Sequence, residues 1–327
     1  MSQRKGEGDP APPIVTVVMA ARDASSTVVD SIASVQRQTL AEWELLVVDD
    51  GSTDDTQRVV QDLGRQDPRI KLLSTPRLGP SGARDAALAR ARGRYIAILD
   101  ADDLAVPERL SKQVAVLDSD PSLAAVASAA FHFVRDGLPV GVRSAHPTSK
   151  SELRDSMREG GVIVWSNSTM CWRRETLNEL NGFDPSFPTG EDAELMNRAL
   201  YRHGMTILGL PEKLVWYRLS RNSLSTAGLR LQRMITRYLE VRNRCWLRNI
   251  TPPSLSEFLM RRPTIREKTR WARHDFAAHL YREAGYRMAS GTHTGIASRI
   301  LLSTILHPRY VIRKLWNQRL RADRETL

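Results

Sequence analysis

Two cysteines in 327 residues, Cys171 and Cys245, provide no disulfide framework and no pair at zinc-ligand spacing. That scarcity suits a reducing compartment, so a cytoplasmic protein is expected. Long apolar runs are missing too: nothing approaches the roughly 18 consecutive apolar residues of a membrane-spanning helix, and the chain is not expected to cross a bilayer. The G-x-G-x-x-G fingerprint is absent, which argues against a dinucleotide oxidoreductase. Acidic residues run short in one region only. Residues 226–327 hold 21 Lys+Arg against 7 Asp+Glu, whereas residues 1–225 hold 27 against 30. The net charge of +11 therefore sits in the last third. Composition divides the chain into a Pro/Gly-rich lead-in (1–13), a domain over 14–225 and a basic, mainly helical region over 226–327.

Short β-branched runs alternate with helical patterns along 14–117. IVTVVM (14–19) precedes Val28, Val29, Ile32 and Val35 at helical spacing, with Ser25 or Ser26 placed to cap. LLVV (45–48) leads through a Ser52–Asp55 capping box into Val59, Val60 and Leu63. IKLLS (70–74) leads through a Gly79-Pro80-Ser81-Gly82 loop into an Ala-rich helix that Gly93 stops. YIAIL (95–99) comes next, and Pro107 opens a helix through Leu117. Four alternations predict an α/β fold: a mainly parallel, Rossmann-like sheet with helices on both faces.

Two of these strands end in carboxylates, in VVDDGSTDD (47–55) and LDADD (99–103). In an open parallel sheet, ligands bind at the carboxyl ends of strands, so the two clusters are expected at one cleft. Like charges brought together need a cation or a proton between them. Hard oxygen ligands suit Mg²⁺ or Mn²⁺, which use one or two carboxylates and complete their shell with water and substrate phosphates. Helix capping is the plainer reading of Asp54 and Asp55, and a poor one for Asp50 and Asp102 at strand ends.

VVDDGSTDD, then LDADD, then Gly190-Glu191-Asp192, then Tyr217-Arg218 with Ser223 and Ser225, resembles a family 2 glycosyltransferase of the GT-A fold over about residues 14–225. The resemblance implies a nucleotide-sugar donor, with Ala20, Arg22, Asp50, Arg84, Asp100 and Ala101 around it. Asp50 would read the imide N–H of a uracil or thymine base, Asp102 would bind the metal, and Asp103 would stand behind it. Asp192 would be the catalytic base that takes the acceptor's proton during a single inverting displacement; the alternatives are that Glu191 acts instead or that Asp192 only caps the helix. Arg84 is equally readable as a solvated surface residue.

Two departures from the family pattern stand out. Ala20-Ala21-Arg22-Asp23 stands where an aromatic residue and Asn usually begin the nucleotide pocket, and Ser220 replaces a His able to ligate metal. A UDP-sugar is the favoured donor. An acceptor site is expected from Trp165, Ser166, Asn167 and Glu191, with a core role the alternative for Trp165 and Trp172. The acceptor would be a glycan or lipid-linked sugar of cell-surface polysaccharide or glycolipid synthesis. The basic region, with apolar residues among cations over 296–316, fits an anionic membrane surface and a peripheral position on the inner face of the plasma membrane. Packing on the catalytic domain is the competing reading, and nucleic acid ranks last for want of a recognised motif. A degenerate module holding a nucleotide sugar or glycan without turnover is the alternative function. A receiver-type signalling domain would need a partner Lys at a later strand end, and none stands out.

Overall fold

A computed structural model of the chain describes residues 12–134, 139–219, 229–289, 294–308 and 311. The expected alternation forms β1 (Val15–Ala21), α1 (Val28–Gln36), β2 (Trp43–Asp49), α2 (Thr56–Gln66), β3 (Ile70–Ser74), α3 (Gly79–Leu88) and β4 (Tyr95–Ile98). β5 (Leu104–Ala105), α4 (Arg109–Ser119), β6 (Leu123–Phe133), β7 (Pro139–Arg143), α5 (Lys150–Met157), β8 (Cys171–Arg173), α6 (Arg174–Glu179), α7 (Glu191–Asn197) and β9 (Thr206–Arg218) follow. The strand order is β3-β2-β1-β4-β8-β6-β9-β5, with β7 on β6. β3, β2, β1 and β4 are parallel, β8 runs antiparallel to β4 and β6, and β9 is parallel to β6. Lone side chains cannot choose such an order, but their alternation can be followed through it. Val17, Met19, Leu45, Val47 and Ala97 pack with α1, α2 and α4, while Val18, Leu46, Val48, Ile96 and Ile98 pack with α3, Trp172 and Phe183. Period-2 patterning with both faces apolar is what a sheet covered on two sides requires.

Several local expectations give way to longer-range contacts. The Ser52–Asp55 box does not form: Asp55 caps α2 without a side-chain bond, and Ser52 Oγ instead accepts from the Asp23 N–H at 2.9 Å. Thr27, not Ser25 or Ser26, is the N-cap of α1. The Gly79–Gly82 segment is the first turn of α3 rather than a loop. Gly93 lies beyond the end of α3 and serves close approach, because a Cβ there would sit 2.3 Å from the Thr16 nitrogen.

At the amino-terminal edge of the sheet, Glu44 is 2% exposed and ties three strands together. Its carboxylate accepts from Thr16 Oγ1 (2.8 Å), Lys71 Nζ (2.8 Å), and the Arg92 N–H (2.9 Å) and Nε (3.1 Å). Burial works to raise this carboxyl, but the bonds from Lys71, Arg92 and Thr16 outweigh it and hold it below its ordinary value.

The chain separates into two compact units, Met1–Leu259 and Met260–Leu327. The break in packing therefore falls after the compositional break at Ser225, which itself lies outside the described residues. Two helices of the basic region, α8 (Leu229–Leu247) and α9 (Leu255–Met260), follow, and α8 belongs to the first unit. Phe187 packs with Ile235, Tyr238 and Leu239 of α8 and with Leu255 and Phe258 of α9. Arg242 of α8 donates to Glu194 Oε1 of α7 at 2.8 Å; Glu194 is fully buried and also accepts from Arg198 Nε at 2.9 Å and Nη2 at 3.0 Å. Asn243 donates to Asn197 Oδ1 at 3.0 Å. A charge-based boundary misses this, because Arg242, one of the arginines that make α8 basic, is used inside the fold. Removing one partner of a buried ion pair costs about 3 kcal/mol or more. Arg242→Ala is expected to lower unfolding free energy by that order in urea titration; a change within about 0.5 kcal/mol would match an exposed residue instead.

Candidate active site

Because β1, β2 and β4 are parallel, the loops that follow them emerge at one edge of the sheet. The first two are fastened together by short polar side chains. Asp23, at φ 49°, accepts from the Thr53 N–H at 2.8 Å, and Asp54 accepts from the Ser25 N–H at 3.0 Å and the Thr56 N–H at 2.9 Å. Thr53 holds the Asp23 carboxyl below its ordinary value. Burial opposes charge at Asp54, and bonds from Ser25 and Thr56 outweigh it, leaving that carboxyl well below the usual range. Asp23 and Asp54 are therefore fasteners of the loops.

Asp50 caps the next element. Its Oδ1 accepts from Thr75 Oγ1 at 2.7 Å and the Leu78 N–H at 2.6 Å, and its Oδ2 accepts from the Gly79 N–H at 2.8 Å. An ionised carboxylate offers about four acceptor sites, so one remains for a ligand N–H. Arg22, on the first loop, is 43% exposed and only 3.8 Å from Asp23 Oδ2, so its guanidinium is accessible. Ala20 packs against the core, and Ala101 is buried at 6% exposure.

Arg84 is the hub of the site and not a surface residue. It is 7% exposed on α3, donating from Nη2 to Asp100 Oδ1 at 3.0 Å and from Nη1 to Glu191 Oε1 at 2.6 Å. Burial tends to strip its proton, but Asp100 and Glu191 outweigh burial and raise its pKa further. With its amide oxygen turned to satisfy both groups, Asn167 accepts from Arg84 Nε and Nη2 at 3.2 and 3.3 Å. One guanidinium thus joins the LDADD turn to the Gly190-Glu191-Asp192 turn.

The remaining carboxylates crowd around it. Burial, then Asp100, pushes Asp102 up to about 6. Asp103 is 1% exposed and raised well above its ordinary value by burial and by Asp100 and Asp102, although its Oδ1 accepts from the Arg218 N–H at 2.8 Å. Its Oδ2 has no partner among the described residues. Gly190 takes φ 69°, the left-handed region open to glycine, and lets α7 begin at Glu191. Asp192 sits in the first turn, accepting from the Ala193 N–H at 2.7 Å. Burial, then Glu191, raises Asp192 to about 6, with Arg84 opposing. A carboxylate ionised at neutral pH with a pKa near 6 is suited to take a proton from a hydroxyl.

Among the described residues no three His, Cys, Asp or Glu groups gather as a closed metal cage. The chemistry nonetheless fits a hard divalent cation. Asp102 is a half-buried carboxylate, Asp103 keeps an unpartnered oxygen behind it, and Mg²⁺ or Mn²⁺ needs only one or two such ligands when a diphosphate supplies the rest. Ser220, the substitute for a ligating His, lies outside the described residues.

Burial contradicts the stacking role expected of the tryptophans near an acceptor. Trp165 is 2% exposed and donates its Nε1–H to the Ala145 carbonyl at 3.1 Å, and Trp172 is fully buried, so neither can stack on a sugar. Ser166, Asn167 and Ser168 are buried beside the carboxylates; Ser168 Oγ accepts from the Asp100 N–H at 3.1 Å. Glu191 is the counter-ion of Arg84.

Three contributors escaped the sequence reading. Arg218 donates from Nε to the Asp102 carbonyl at 2.9 Å. Tyr217, pushed up to about 12 by burial and then by Asp103 and Asp100, shares their surroundings. Arg109, 1% exposed, donates to the Ile98 carbonyl at 2.8 Å and the Met170 carbonyl at 3.2 Å under the LDADD turn. Burial lowers Arg109 to about 10. Tyr217-Arg218 stood within a recognised segment, whereas Arg109 carried no signal, since an arginine next to Leu110 reads as the wet side of α4.

Known proteins resemble this chain in sequence and in fold. TuaG, a glycosyltransferase assigned to teichuronic acid biosynthesis in Bacillus subtilis, is 30% identical over 221 residues, 65% of this chain and 82% of TuaG. WfgD of Escherichia coli, a UDP-Glc:α-D-GlcNAc-diphosphoundecaprenol β-1,3-glucosyltransferase, is 43% identical over 105 residues, covering 32% of this chain and 41% of WfgD. ExoO, a succinoglycan biosynthesis protein of Rhizobium meliloti, is 33% identical over 202 residues, 58% of this chain and 56% of ExoO. In fold, S. aureus TarS bound to UDP-GlcNAc superposes with a TM-score of 0.56 at 15% identity over 89% of this chain and 91% of that one. The mannosyltransferase PcManGT from Pyrobaculum calidifontis, bound to GDP-Man and Mn²⁺, gives 0.55 at 19% identity over 97% and 84%. The sequence pattern described as Glycosyl transferase family 2 matches residues 16–179, from β1 through both Asp clusters to the end of α6, and the chain belongs to that family.

Proposed function

We propose that this glycosyltransferase moves a sugar, with inversion and with a divalent cation, from a nucleoside-diphosphate donor to a glycan or lipid-linked acceptor in cell-surface polysaccharide or glycolipid synthesis. A UDP-sugar is the favoured donor, and the place of work is the cytoplasmic face of a membrane. The observation that carries the reading is the Arg84 bridge, which joins Asp100 to the turn bearing Asp192. The names of TuaG, WfgD and ExoO support the pathway class, and WfgD's own donor and lipid-linked acceptor support the substrate class.

In this reading the free acceptor position of Asp50 takes the base N–H, Arg22 lies over the nucleotide, and Asp100 and Ala101 border the donor sugar. Asp102 would hold Mg²⁺ or Mn²⁺, which when bound neutralises charge on the leaving diphosphate. Asp192 accepts the acceptor hydroxyl's proton as that oxygen bonds to the anomeric carbon from the face opposite the phosphate. The bond from that carbon to the phosphate oxygen breaks, and its electron pair leaves with the nucleoside diphosphate. Arg84 positions both halves by holding Asp100 and Glu191 as a fixed frame. Its charge also limits mutual repulsion, so that Asp192 can be ionised at neutral pH.

Two outcomes follow. Asp192→Asn is expected to lower turnover by roughly 10²–10⁴ while UDP binds as before, whereas Asp102→Asn loses Mn²⁺-dependent UDP binding; calorimetry and UDP release separate them. UDP binding without turnover in the unaltered chain, over a panel of donors and acceptors, would indicate a holding module instead. The second outcome concerns pH. The base must be ionised and its pKa is raised to about 6, so kcat/KM should be flat above that pH and fall about tenfold per unit below it. A profile flat to about pH 4.5 would exclude a base with a raised pKa, leaving the Asp192→Asn turnover to decide the residue's role.

A further inference from the structure

The second compact unit contains α10 (Ile265–Ala289) and α11 (Ile296–Leu306), which pack on each other. α11 buries polar groups and exposes three large apolar side chains. Its inner face carries Ser303, fully buried and donating to the Ala277 carbonyl of α10 at 2.8 Å, and Arg299, paired with Glu283 at 3.3 Å. Its outer face shows Leu301 at 63%, Leu302 at 42% and Ile305 at 65% exposure. Ile305 stands one helical turn beyond Leu301 and Leu302, so the three form one apolar patch. A helix facing water does the opposite, hiding its leucines and showing its serine.

Leu306, one helical turn beyond Leu302, links that apolar surface to a group of cations. Ile265, at the start of α10, is 83% exposed, and it lines with Arg266, Thr269, Arg270 and Leu306 a groove of about 520 Å³. The side chains of Arg262, Arg266, Lys268 and Arg270 make no ion pair or hydrogen bond among the described residues. Glu267, the acid among them, is occupied by Arg261 at 2.6 Å and Thr264 at 3.1 Å.

We propose that this face of the second unit docks on an anionic phospholipid surface, with Leu301, Leu302 and Ile305 below the headgroups and Arg266 and Arg270 at the level of the phosphates. Apolar side chains flanked by unpaired cations are the combination that an anionic interface selects. A second copy of the chain fits less well. A two-fold contact through the same patch would bring both sets of arginines towards each other with few carboxylates to separate them. The inference deepens the membrane location proposed above and rests on that part of it alone.

The test uses the full chain and vesicles of phosphatidylcholine, with or without roughly one-third phosphatidylglycerol, in a flotation assay. Binding to the anionic vesicles should exceed binding to the neutral ones at least ~10-fold and weaken with salt. The pairs Leu301→Glu with Ile305→Glu, and Arg266→Glu with Arg270→Glu, should each reduce it at least ~10-fold, with UDP binding by calorimetry unchanged. All four positions are exposed; retained UDP binding reports an intact first unit, and an unchanged helical signal in far-UV circular dichroism reports intact α10 and α11. Absence of flotation in unaltered protein that binds UDP would overturn the proposal, as would equal flotation of both variants. A dimer in sedimentation equilibrium that Leu301→Glu dissolves, without vesicle binding, would assign the patch to self-association instead. Loss of UDP binding in the unaltered chain would speak against the donor reading and leave the vesicle result standing.

Discussion

The site depends on one guanidinium holding apart carboxylates that would otherwise repel each other. Asp100 comes from the end of β4, and Glu191 and Asp192 come from the start of α7, more than 80 residues later. Arg84 reaches the first two from α3 with bonds of 3.0 and 2.6 Å. Burial makes the pairing strong and also makes it necessary, since an unpaired buried charge is far more costly than an exposed one. The same burial lifts Asp102 and Asp192 towards pH 6, so their protonation states are set by a frame in which neither is the main partner of the cation.

That frame is itself held from outside. α7 begins on a left-handed glycine and is only seven residues long, too short to be stable by its own hydrogen bonds. Its orientation comes from Glu194, gripped by Arg198 in its own segment and by Arg242 in α8. The cations that mark the last third of the sequence as a separate object thus split into two populations. Arg242 is consumed inside the first unit, and Arg266 and Arg270 remain on the surface of the second.

Much of the fold was legible because strand and helix periods are local. β3 was read residue for residue, and the strand ends carrying Asp50 and Asp100 to Asp103 followed from apolar runs stopping at carboxylates. The meeting of those ends followed from the general behaviour of parallel sheets. Illegible were the places where a distant partner decided the outcome. Ser52 was taken from its capping box by the Asp23 N–H, and Gly93 answers to Thr16 rather than to its helix. Trp165 and the Ser166–Ser168 segment were drawn into the core, while an arginine as buried as Arg109 gives no periodic sign of its role. The roles proposed for Asp50, Asp102 and Asp192 came from motif order; without it Asp50 and Asp102 are carboxylates at strand ends with no assigned task, and Asp192 is a helix cap.

Glu44 adds a consequence for how such a chain can change over time. Its knot with Thr16, Lys71 and Arg92 fastens the amino-terminal ends of the strands, while every group argued to touch donor or acceptor lies past the carboxyl-terminal ends. Cohesion of the sheet and recognition of substrate therefore draw on separate residues. Loops at one edge can be exchanged, lengthened or reshuffled between lineages without loosening the other, so new donor and acceptor preferences are reachable by small steps that each leave a folded protein.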